Sequence, residues 1–213
     1  MDILTIVISF IVLIFSAILH EIAHGLVADR LGDPTARLAG RLTLNPKSHI
    51  DPVMTILLPV ILYIGSGGQF TFGGAKPVPV DPFNLRDYRK DMALISLAGP
   101  GTNIALAIVA SALVHLLVLL FPHNDISYLL GILLYIVINV NIMLAIFNLL
   151  PIPPLDGSKI FALLLPEREA NSYLSLGNLG LAILLLLLNF PIAGFSLSQF
   201  LDTLIILARS ALL

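Results

Sequence analysis

The chain has 213 residues, 58% of them hydrophobic and 11% charged, with a mean hydropathy of +1.00. Soluble domains carry about a quarter charged residues, so this composition excludes an ordinary water-soluble domain and indicates an all-α polytopic membrane protein. A net charge of −2 with no long basic run argues against nucleic acid as a partner, and the lack of cysteine excludes disulfides and thiolate metal sites.

The length suits one membrane-embedded domain, residues 1–213, built as a bundle of about five transmembrane helices. The first expected helix covers residues 3–31. It is almost wholly apolar up to Leu19; His20, Glu21 and His24 follow, and the chain leaves the helix at Asp29-Arg30. Met1-Asp2 gives no basic segment ahead of the apolar run, so a cleaved signal peptide is not expected. A turn-rich stretch, GDPTARLAGRLTLNPKSHIDP, leads to an apolar run at 53–64 that contains Pro59 and ends in Gly65, Gly67 and Gly68. QFTFGGAKPVPVDP, punctuated by prolines, reads as β-like. Region 37–80 is therefore expected to form a re-entrant, β-like, membrane-associated segment. Further helices are expected at 92–121, 128–150, 174–190 and 196–213. The last has apolar positions at helical spacing and either spans or lies in the interface.

The run at 53–64 decides the expected topology. Its 12 residues fall short of the roughly 20 needed to cross a bilayer. If it dips in and returns, and the last helix spans, all 11 Lys and Arg lie on one side; if it crosses, they split four against seven. The positive-inside rule selects the first arrangement, with the N-terminus outside and residues 30–92 and 150–173 cytoplasmic. Non-helical backbone at membrane depth survives only against protein or a watery cavity, so this region is expected to border a functional site.

Residues 20–24, HEIAH, have the form HExxH. Side chains four apart share one helix face, so His20 and His24 can reach a single ion, and Glu21 stands beside them to serve a metal-activated water as proton acceptor and donor. Chance alone places this pattern in on the order of 1% of chains of this length. Here the pattern lies in an apolar helix, where an ionisable side chain costs several kcal/mol and normally has a role. His20 lies roughly 25 Å along the helix from residue 3 at 1.5 Å per residue, in the half nearer the cytoplasm. A catalytic zinc takes three protein ligands. His49, His115 and His123 are candidates for the third, and Asp156 is the best placed. It follows the 128–150 helix in NLLPIPPLDG, where prolines stop the helix and Asp-Gly can turn the carboxylate back towards the membrane. The alternative reading of Asp156 is an N-cap for a helix over 157–165. Asn103, Asn139 and Asn141 read as interhelical hydrogen-bonding residues.

HEIAH, NLLPIPPLDG and LAGPGTN, with GRLTLNPKSHIDP and FGGAKPVPVDP, together resemble the site-2 protease family of intramembrane zinc metalloproteases, in its short subgroup without a PDZ domain. The resemblance implies His20, His24 and Asp156 as ligands of one zinc per chain and Glu21 as the catalytic acid/base. It implies that Asn148 stabilises the oxyanion or positions substrate. It further implies multi-pass cell-membrane location and transmembrane protein substrates cut in or just beneath the bilayer. QFTFGGAKPVPV could hold an unwound substrate by β-addition, which proline at Phe70 or Phe72 would disrupt. The other function classes open to the sequence are a metal or proton transporter and a catalytically silent relative.

Overall fold

The computed structural model describes residues 3–57, 61, 64, 75–122, 124–192 and 194–213. Helix α1 (Ile3–Leu31) follows the apolar run through the HEIAH motif without interruption. Helix α2 (Thr35–Leu38) is a single turn; tight 3-10 turns at Pro46–His49 and Pro82–Asn84 and a wide π-type turn at Pro52–Leu57 follow. The long helices α3 (Tyr88–Leu120) and α4 (Asp125–Asn148) come next, then α5 (Asp156–Ala162), α6 (Glu167–Leu174), α7 (Gly177–Asn189) and α8 (Leu197–Leu212). Among the described residues, three helices, α1, α3 and α4, are long and apolar enough to cross a membrane. A fourth crossing exists if α6 and α7, bent by 70° at their junction, are counted as one broken span.

Several expectations shift at the edges. Helix α3 begins four residues before the expected position, because Asp87 accepts from Lys90 N (3.2 Å) and draws the polar segment before 92 into the first turn. Asn124 caps α4 in the same way through Ile126 N (2.8 Å), so α4 starts at Asp125 and not at 128. The expected 174–190 helix is found as α7, three residues shorter at its start, and α6 precedes it as a separate short helix. Within 37–80, the described residues contain helical turns and, from residue 75 on, extended chain without a sheet partner. Most of 58–74, including Phe70, Phe72 and the larger part of the expected re-entrant and β-like segment, lies outside the described residues, as does His123.

The bundle closes around α1, α3 and α4. Helices α1 and α3 run antiparallel, since His20 meets Asn103 while His24 meets Ile95. Helices α3 and α4 pack through Ala107 and Ala110 against Ile138 and Ile142, where small side chains let the backbones approach. The outward faces of all three carry exposed Ile, Leu, Val and Phe, as a lipid-facing surface should. Helix α8 lies along α4 in the opposite direction. Leu197 and Leu201 pack with Leu155, Ile146 and Phe147 near the end of α4, while Arg209 reaches Tyr135 Oη (2.9 Å) and Asn139 Oδ1 (3.3 Å) in its middle. Ser111 Oγ donates to Leu212 O. Arg209 thus sits inside the bundle's height and does not join the other ten Lys and Arg at the end where α1 stops and α3 starts. Helix α7 packs at the C-terminal end of α4, and α8 begins there.

Candidate metal centre

Helix α1 delivers two imidazoles one turn apart, both buried, on the face turned towards α3. The ring nitrogens away from the centre are committed. His24 Nδ1 lies 2.6 Å from the carbonyl of Ile95, which can only accept, so Nδ1 carries the proton. His20 Nδ1 lies 2.6 Å from Asn103 Oδ1 and donates to it. In their neutral form both rings therefore turn an unprotonated Nε2 inwards. These two atoms are 3.0 Å apart, and each lies 3.1 Å from Asp156 Oδ2. Among the described residues, the grouping of His and acidic side chains able to hold a metal is this one: His20, His24 and Asp156.

Asp156 arrives from the other side of the bundle. Helix α4 ends at Asn148, the chain passes Pro151, Pro153 and Pro154, and α5 starts at Asp156 itself. The N-cap is Leu155, and the Asp156 side chain makes no capping bond, so the capping alternative does not hold. Nor does Gly157 serve a turn: it is helical, and a Cβ there would stand 2.2 Å from Leu149 O. The glycine lets α5 seat directly on the end of α4, which swings the carboxylate to the histidines. Lys159 Nζ holds the second oxygen, Oδ1, at 3.3 Å and leaves Oδ2 for the centre.

With both rings neutral, three acceptors converge on one point, an arrangement that a bound cation stabilises. Zinc at 2.0–2.2 Å from each of three ligands holds them about 3.3 Å apart, within a few tenths of an ångström of the triangle seen here. The donor set, two neutral imidazoles and a carboxylate each held from behind, fits a zinc site with an open fourth position.

The model of peptidase family M50 matches residues 8–128 and 123–188. The chain belongs to peptidase family M50. It is 37% identical over 189 residues to the putative zinc metalloprotease YwhC of Bacillus subtilis, covering 88% of this chain and 82% of that one. The putative zinc metalloprotease MJ0611 of Methanocaldococcus jannaschii is 34% identical over 159 residues, 75% of this chain and 71% of its own. Putative zinc metalloprotease Rip2 of Mycobacterium tuberculosis is 35% identical over 142 residues; that match takes in 67% of this chain but only 51% of Rip2. No solved structure matches the chain.

The other residues singled out from the M50-type motifs fall into place differently. Glu21 stands next to His20 and its Oε2 accepts from Val78 N (2.8 Å) in the extended segment at 75–81. That segment is pinned at Lys76 N to His49 O (2.8 Å), and the buried Arg41 donates to Lys76 O (2.6 Å). Pro77 and Pro79 have no N–H, and Lys76 N and Val78 N are spent on His49 O and Glu21, so at these four positions the proposed strand edge has no donor left to offer. Asn148 stays apart from the triad: its Nδ2 donates to Leu144 O (3.0 Å), one turn back on α4. His49 Nε2 pairs with the carbonyl of Thr43 (2.8 Å) and His115 Nδ1 with that of Ser111 (2.9 Å), and neither reaches the centre.

Two contributors escaped the sequence reading. Asn103 does bridge helices, as expected, but it also holds His20, one of the three residues able to hold a metal. Gly99 has no side chain because none fits: a Cβ would lie 2.5 Å from His20 Nε2 and 2.6 Å from His24 Cε1. Both belong to LAGPGTN, whose Pro100 also removes the N–H that would bind Ser96 O and loosens α3 beside the Ile95 carbonyl that holds His24. The signal was the motif itself; its residues could be assigned only once α1 and α3 were in register. Behind the site, buried Asp33 anchors the loops by accepting from Thr35 N (3.1 Å), Asn84 Nδ2 (2.9 Å) and Asp81 N (2.8 Å). Burial would raise its pKa, but these bonds outweigh it and hold the carboxyl below its ordinary range.

Proposed function

We propose that the protein is an intramembrane zinc metalloprotease that hydrolyses peptide bonds in or just beneath the transmembrane segments of other membrane proteins. The observation that carries this reading is the convergence of three potential ligand atoms, His20 Nε2, His24 Nε2 and Asp156 Oδ2, within 3.1 Å of one another in a chain of family M50. His20, His24 and Asp156 would hold one zinc per chain. When bound, zinc supplies Lewis-acid polarisation of the scissile carbonyl and makes a water acidic near neutral pH.

The chain's own residues do the rest. Glu21, fixed through Oε2 by Val78 N, keeps Oε1 free to take the proton of the attacking water and return it to the leaving amide nitrogen. Asn148 spends one amide hydrogen on Leu144 O and retains a second for the substrate carbonyl. Ten of the 11 basic residues lie in segments joined to the end of the bundle that carries the centre. By the positive-inside rule that end is cytoplasmic and the N-terminus is outside. The protein acts as one multi-pass unit in the cell membrane.

The test is zinc content of the purified full chain beside peptide-bond cleavage in a reconstituted membrane substrate. His20→Ala and Asp156→Ala are expected to lose the metal. Glu21→Gln is expected to keep it and to lose cleavage by at least a hundredfold. A transporter would retain its flux in Glu21→Gln, and a silent relative would show no cleavage in the wild type. Zinc retained in Asp156→Ala would remove Asp156 from the ligand set.

A further inference from the structure

The orientation of one side-chain amide decides whether His20 can bind a metal. His20 Nδ1 faces Asn103 Oδ1 at 2.6 Å. Were that amide turned over, an NH2 would face Nδ1. The ring proton would then have to sit on Nε2, aimed at Asp156 and His24, and the lone pair needed for a ligand would be gone.

The amide is held from its far end. Asn103 Nδ2 donates to Asn141 Oδ1 at 2.8 Å. Asn141 in turn is fixed, because its Nδ2 donates to the carbonyl of Val137 (2.9 Å), which can only accept, and to Ser16 Oγ (3.0 Å). The direction of every proton is thus set from Val137 O through Asn141 and Asn103 to His20. Asn103 and Asn141 are both 0% exposed, and Ser16 and His20 are buried with them, so no bulk solvent can relax the order. Holding helices together would need only that the two amides pair, in either sense. This chain has one sense, and it ends on a metal-site nitrogen.

We propose that Asn141, supported by Ser16, is a positioning residue for the metal centre: by accepting from Asn103 it locks the amide that keeps the His20 proton on Nδ1 and Nε2 free. The inference rests on the zinc reading above. It predicts a particular rescue. Aspartate at 103 presents an acceptor whichever way it turns, so it makes the lock at 141 unnecessary.

The experiment is zinc competition against a fluorescent chelator, with the full chain in lipid nanodiscs. Asn141→Leu and the smaller Asn141→Ala are each compared with the same variant carrying Asn103→Asp. Each single variant should weaken zinc binding by about ten- to a hundredfold, the range for partners behind metal ligands, and Asn103→Asp should restore most of that loss. Packing damage at 141 would not be repaired by a carboxylate at 103, so an unrescued loss overturns the proposal, as does unchanged affinity in both single variants. If Asn141→Leu does not fold, Asn141→Ala carries the same comparison, since it removes the acceptor without adding a branched side chain. Wild-type protein without zinc, or with zinc that survives His20→Ala, overturns the zinc reading itself and this inference with it.

Discussion

The two halves of α1 are one continuous helix made by different rules. From Ile3 to Phe15 no position is buried and several large side chains face outwards, with Ile3 81% and Phe10 59% exposed, so there the fold asks chiefly for apolar character. From Ser16 to Ala28 the buried positions are Ser16, Ile18, His20, His24, Gly25 and Ala28, and each meets a particular neighbour. Lipid accepts any apolar side chain, so the first half is specified loosely. The second half must place two rings to tenths of an ångström, so it is specified by what stands opposite: Gly99, Asn103, Ile95 and Asp156. The contrast between the halves is a quantity that substitutions can measure.

The largest effect should come from Gly99→Ala on the facing helix. The added methyl would stand 2.5 Å from His20 Nε2 and 2.6 Å from His24 Cε1, where real Cβ contacts do not occur. Neither ring can retreat, since each is tied at Nδ1. Zinc affinity is expected to fall by a hundredfold or more, as loss of ligand geometry does, with helical content unchanged; elemental analysis and circular dichroism check both. An intact zinc content would mean that the α1–α3 spacing is not what sets the centre.

This prediction also marks where sequence reading stops. His20, Glu21 and His24 were legible because their geometry is internal to one helix: a spacing of four puts two rings on one face whatever surrounds them. Asp156 was legible as a candidate because prolines and the helix end limited where its chain could go, but whether its carboxylate caps a helix or meets the histidines depended on the position of α5. Gly99, Asn103 and Asn141 act across helix pairs, and the register between antiparallel helices is not written in either helix alone. The same holds for α8. Its amphipathic spacing announced a helix, yet its direction depends on α7 packing at the C-terminal end of α4, which no local pattern encodes.

A smaller effect is expected one layer out, at Arg41. It crosses from the α2 region to the carbonyl of Lys76, fixing the segment whose Val78 N–H holds Glu21. Arg41→Ala leaves all three proposed ligands untouched but lets that segment drift. Cleavage should drop by roughly tenfold or somewhat more, the scale for a catalytic group displaced by less than 1 Å, while zinc content stays at the wild-type level. Loss of zinc in Arg41→Ala would mean that the segment supports α1 itself and not only its glutamate.

The smallest effect belongs to the lipid-facing half of α1 and is best measured as a matched pair, Phe10→Ala against Ile18→Ala. Ile18, 1% exposed, lies between the helices, and its truncation leaves a hole that packed neighbours cannot fill, costing about 2 kcal/mol or more. Phe10 touches acyl chains both in the folded bundle and in the inserted but unpacked helix. Its removal therefore cancels between the two states, because lipid provides no hydrophobic drive for association. Stability in Phe10→Ala should stay within about 0.5 kcal/mol of wild type by reversible unfolding in mixed micelles. If instead the two truncations cost the same, the outer half of α1 is covered by protein, and the loosely specified half of the helix is an interface.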